Sequence, residues 1–187
     1  DLSDNVTYLI SRSTSGPATG NGDSMHPAMS ADARYISFQS TATNLLAGFT
    51  NNNFGSNDVF LVDLQDPTDP DPIVTLVSAQ TSGATSGGNL GSGSPVVSPD
   101  GRYAAYISFA TNLVPSFVDA NTGNDPDLFI FDRTTGKNVL LSAANTGMTG
   151  ANDFPGYTFA DPPGRFDSSN RYFFRASASN LVNGDRN

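Results

Sequence analysis

Glutamate, cysteine and tryptophan are absent from this 187-residue chain, and Lys137 and His26 are the single residues of their kinds. Without cysteine there is no disulfide framework, no zinc–thiolate centre and no thiol nucleophile. Without glutamate, and with one lysine, the chain is short of strong helix formers. Gly, Ser, Thr, Asn and Asp, which favour turns, are abundant instead. No apolar run approaches the roughly 20 residues that a membrane helix needs. The chain opens at Asp1 without a methionine or a signal-like segment, and reads as mature, processed or partial. There is no Gly-x-Ser-x-Gly elbow to pair with His26, no phosphate-binding glycine pattern, and no spacing that singles out two carboxylates for glycoside hydrolysis. A non-enzymatic role is the expectation.

All 18 acidic residues are aspartate, against nine lysines and arginines, which leaves a formal charge of −9 and a sequence pI of about 4.2. So acidic a chain lacks the basic footprint that nucleic acid requires, and it is repelled by anionic membrane surfaces. It suits solubility and cation binding. Few Lys, no Glu and many Asn, Ser, Thr and Gly match an extracellular, cell-surface or periplasmic protein. Thirteen Phe and six Tyr within 37% hydrophobic residues are enough for a core.

What is present is a repeat. Arg34-Tyr35-Ile36-Ser37-Phe38 runs on to Thr43-Asn44-Leu45, Arg102-Tyr103-Ala104-Ala105-Tyr106 to Thr111-Asn112-Leu113, and Arg171-Tyr172-Phe173-Phe174 to Ser179-Asn180-Leu181. Both Asn-Leu steps are 68 residues (112 − 44 and 180 − 112), and a fixed period of this length signals stacked structural units. Around each tyrosine run the same parts recur. A short run (His26 to Ser30; Ser94 to Ser98; Gly164 to Asp167) leads through a tight turn into it, as a hairpin. A long loop and an Asp-flanked apolar run follow (Asp58 to Asp63; Asp127 to Asp132). A β-branched run ending in serine closes the unit (Ile73 to Ser78; Asn138 to Ser142). Val6 to Ser11 reads as another closing run. Each period is thus four strands, which predicts an all-β fold of four-stranded antiparallel blades in a partial or open array of about three repeats.

Pro95-Val96-Val97-Ser98-Pro99-Asp100-Gly101-Arg102-Tyr103, followed by Asp127-Leu128-Phe129-Ile130-Phe131-Asp132, resembles the WD40-like PD40 repeat of TolB-type β-propellers, in an exported bacterial subgroup. The resemblance spans nearly the whole chain and implies the fold; it implies little about function. It divides the chain into a first blade at about 24–79, a second at about 92–143 and an incomplete third at about 156–187. The 6–11 strand would complete a preceding or neighbouring blade. Two and a half blades do not close a ring. The chain is a fragment, or residues follow Asn187, or neighbouring copies complete one another's blades.

The loop Asp119-Ala120-Asn121-Thr122-Gly123-Asn124-Asp125-Pro126-Asp127 places oxygen-bearing side chains at 119, 121, 125 and 127 around Gly123. Ca2+ takes six to eight such oxygens, and the alternative is an Asn/Asp/Gly-rich turn. The first-blade loop, Asn51 to Asp58, is a weaker ligand set. Asn44, Asn112 and Asn180 are expected to tie loop backbone. Asp63 and Asp132 are expected to cap turns or pair with arginines such as Arg133. Asn5-Val6-Thr7 is an N-glycan acceptor pattern. The leading functional expectation is a binding or structural scaffold at the cell surface, whose partners are other protein chains or copies of itself. The alternatives are a subunit of an extracellular fibre and a propeller fragment of a hydrolase or lyase.

Overall fold

The computed structural model describes residues 7–65, 72–119, 125–144, 149 and 162–175. Among them there is no helix. The first sheet contains β1 (Ser24–Met29), β2 (Tyr35–Ser40), β3 (Asp58–Asp63) and β4 (Ile73–Leu76), hydrogen-bonded in sequence order. The second repeats it with β5 (Ser92–Val97), β6 (Tyr103–Ser108), β7 (Asp127–Asp132) and β8 (Lys137–Leu140). β9 (Gly164–Phe166) and β10 (Tyr172–Phe174) pair as a hairpin. Every pairing between these strands is antiparallel. The protein is all-β, built from four-stranded blades of the β-propeller type.

The middle strands are buried on both faces: the second blade lies between the first blade and the third repeat, and the far face of the first blade is covered by Ile10 and by Leu46 and Phe49 of its long loop. Tyr35, Val59 and Leu61 of the first blade join Val97, Ala104, Tyr106, Phe129 and Phe131 of the second in one core. The second blade's other face, Ile107 and Leu128, is covered by Tyr172 and Phe174 of the third repeat. The long loops after Asn-Leu also contribute. Phe49 lies edge-on to Phe60, 5.6 Å between centroids, and Phe60 stacks on Phe38. Phe117, Phe129 and Tyr106 repeat that triplet. Burying one such ring stabilises by about 2–3 kcal/mol.

The repeated polar residues fix the same geometry twice. Asn21 and Asn44 bind each other's loops, with Asn44 Oδ1 accepting Asn21 N at 2.9 Å. Asn89 and Asn112 do the same, also at 2.9 Å. The expected arginine partners of Asp63 and Asp132 are found, but they are the arginines before the tyrosines: Arg34–Asp63 at 2.6 Å and Arg102–Asp132 at 2.8 Å. Asp132 also caps its turn by accepting Thr134 N. Arg133 instead donates to Gly101 O and lies 4.3 Å over the Tyr35 ring.

Two further differences from the sequence reading have simple causes. Residues 7–11 form no strand; Ile10 packs on the Phe38 cluster instead. The third copy is displaced by one position. Its turn is a residue shorter, because Asp167 N donates to Arg171 O, where Ser30 N and Ser98 N donate to Tyr35 O and Tyr103 O. Tyr172 therefore pairs with Phe166 as Ile36 does with Met29 and Ala104 with Val97. A one-residue slip sends side chains to the opposite face, so Tyr172 points into the second blade and is not the counterpart of Tyr35 and Tyr103.

Candidate functional site

The loop expected to hold a cation ends where β7 begins, and the structure explains what Asp127 does there. Asp127 is buried, and Ser142 Oγ donates to its Oδ1 at 2.8 Å. Ser142 Oγ in turn accepts Leu128 N at 3.0 Å, which fixes the strand end. Burial pushes the carboxyl up to about 6 against the pull of Ser142, and the negative charge of Asp119 pushes the same way. Asp119 and Asp127 are thus within electrostatic reach. Asn121 and Gly123 lie outside the described residues, as does Asn5, and among the described residues no group of three or more His, Cys, Asp or Glu side chains assembles. Asp125 stands two residues before β7 begins.

The first blade holds the same unit in full. Asp58 begins β3, is 1% exposed, and receives Ser78 Oγ and Asn53 Nδ2, each at 2.8 Å. Ser78 Oγ accepts Val59 N. Asn53 is anchored by Asn51 Oδ1, which accepts its backbone N–H. Burial again pushes the carboxyl up to about 6, with Ser78 and Asn53 opposing. Gly87 closes over the site: a Cβ there would stand 3.0 Å from Asp58 Oδ1. A carboxyl with such a value can act as an acid or base where substrate reaches it. Asp58 is sealed by Gly87 and bonded within the protein, so it works on the fold. In the sequence the Asp-flanked run and the Ser-ended run stand apart, with nothing local to join them. Their shared recurrence was the available signal that they meet.

A second buried polar link crosses between blades. Tyr106, fully buried, donates from its hydroxyl to Asn138 Oδ1 at 2.8 Å, and Asn138 Nδ2 donates to Val77 O of the first blade at 2.9 Å. Burial pushes the Tyr106 phenol up, with the charge of Asp58 adding to it. Tyr106→Phe leaves Asn138 Oδ1 without its donor and is expected to cost about 1–2 kcal/mol, read as a lower urea midpoint at unchanged slope. His26 is exposed and stands in a β-bulge at φ 52, matched by Ser94 at φ 49 in the second blade. Between His26, Pro27, Ser94, Pro95 and Pro162 runs a groove of about 200 Å³, where the first strands of the repeats converge.

No family profile matches the sequence, and no curated protein does. Among solved structures the chain is similar to that titled "Crystal structure of TolB from Acinetobacter baumannii", at 15% identity and a TM-score of 0.30, over 85% of this chain. The match spans 39% of that protein's length.

Proposed function

We propose that this chain is an exported, non-enzymatic β-propeller-type scaffold whose work is to hold other protein chains. The observation that carries this reading is that the recurring polar residues are used inside the fold. Asp58 and Asp127 are bonded to serines, Asp63 and Asp132 to arginines, and Asn44 and Asn112 to neighbouring loops. What remains for function is surface, above all the open face of the first blade, where Met29 is 59% exposed. A photo-crosslinking residue placed at Met29 in the organism that makes the protein is expected to give covalent protein adducts, and one at Thr135 on an outer turn is not. No adduct at Met29 would end the reading.

Calcium belongs to the same proposal: Asp119, Asn121, Gly123, Asp125 and Asp127 would supply oxygens to one ion that joins the long loop to β7. EDTA is then expected to lower the melting temperature by roughly 5–10 °C; an unchanged melt removes the metal. Asn5 would be the glycan acceptor in such an exported setting.

A further inference from the structure

Resting on the scaffold reading, we propose that the partner on the open face of the first blade is a second copy of this chain, presenting its third repeat, so that copies add head to tail. The contact inside the chain provides the mould. Met29 and Ile36 are cross-strand partners in the first blade, as Val97 and Ala104 are in the second. Val97 is 8% exposed and Ala104 fully buried because the first blade covers them; Met29 is 59% exposed and Ile36 half-buried. Two grooves, of about 450 and 850 Å³, cross this open face and share Ile10, Met29 and Ile36. The bulge at Ser94 turns its N–H toward the first blade, where Gln39 Oε1 accepts it at 2.7 Å. The same bulge recurs at His26, which has no described blade in front of it.

The third repeat carries the complementary surface. With Tyr172 in the place of Ile36, Phe173 takes the place of Ser37, on the face each blade turns toward the next one. Phe173 is 53% exposed there, with Arg171 against its ring. The hairpin carries the exposed Arg165 and, ion-paired with Asp167, Arg171, basic side chains in a chain of −9. The opposing turn of the first blade carries the exposed Asp32, which lines one of the grooves. Copies that repel on average are thereby brought together at one pair of ends. Such a contact is heterologous and builds a ring or a filament according to its rotation.

Light scattering after size exclusion tests this on the whole chain. The protein is expected to be oligomeric, and Met29→Asp and Phe173→Asp are each expected to weaken association at least about tenfold. Both positions are exposed, so the melting temperature of each variant monitors folding separately. Mixing the two variants should restore one intact contact and give a discrete heterodimer that goes no further. A wild-type monomer at all concentrations, or assembly indifferent to both substitutions, overturns the proposal. Crosslinks from position 29 to a different protein would also overturn it while leaving the scaffold reading standing.

Discussion

Gly101→Ala is expected to destabilise the protein by about 2–4 kcal/mol, which is far more than a turn glycine usually costs. Gly101 has φ +68, and a Cβ there would sit 1.8 Å from Cδ2 of Tyr35. Left-handed backbone alone does not demand glycine at this place, because Ala33 and Asn170 hold the matching turns at φ 59 and 60. The difference is the ring. Tyr35 is 5% exposed, pressed between the Gly101 turn and the Arg133 guanidinium, and Ala31 N donates to Pro99 O beside it. The methyl must therefore displace an aromatic side chain at the joint between two blades. A double-mutant cycle measures this. In a Tyr35→Ala background the Gly101→Ala cost should shrink to about 1 kcal/mol, the residual strain of alanine at positive φ. An equal cost in both backgrounds, from urea midpoints, would show that the ring is not the reason.

That joint also shows how far the sequence could be read. Strand positions, hairpins and the four-strand unit were legible because apolar runs, Pro99-Asp100-Gly101 and the Asn-Leu pairs recur at one spacing. That spacing is imposed by identical packing in successive blades. Legibility stopped where a contact depends on one residue more or less. The third turn looks equivalent through Arg171-Tyr172, yet its missing residue moves Tyr172 to the other face, and only the hydrogen bond from Asp167 N to Arg171 O reveals it. The choice between Arg102 and Arg133 as partner of Asp132 was hidden for a related reason. The two arginines stand opposite each other, one residue beyond the Tyr103–Asp132 pair, and Arg133 is taken up by Gly101 O and the Tyr35 ring of the neighbouring blade, which leaves the carboxylate to Arg102. Of the proposed cation loop, spacing shows the oxygens; the burial of Asp127 and its bond to Ser142 arise from strands paired across the blade.

Acidification from pH 7.5 to 5, in EDTA so that no cation holds Asp127, is expected to raise stability, against the common behaviour of proteins whose carboxylates are paired. Asp58 and Asp127 both stand at about 6 in the folded chain, chiefly through burial, against an ordinary 3.8. The folded state therefore holds protons between pH 4 and 6 that the unfolded chain has released. Their contribution is fully present below pH 4 and is lost as pH rises through 6. With about two pKa units for each buried group, the full change is on the order of 3 kcal/mol per site, of which roughly half appears between pH 7.5 and 5. Asp132 acts in the opposite sense. Arg102 and Thr134 hold it well below the usual range, so its contribution fails only under more acidic conditions. The optimum is expected near pH 4, where the first effect is nearly complete and the second has barely begun. Urea midpoints across this range provide the measurement, with Asp58→Asn and Asp127→Asn as controls that should each flatten the rise. In Asp58→Asn, rotation of the Asn53 amide lets its Oδ1 accept the new amide but takes its Nδ2 from Asn57 O, so that variant is read by its slope with pH and not by its absolute midpoint. Midpoints that stay level or fall between pH 7.5 and 5 would mean that both carboxylates remain ionised inside the blades. Their serine and asparagine donors would then outweigh the burial that surrounds them.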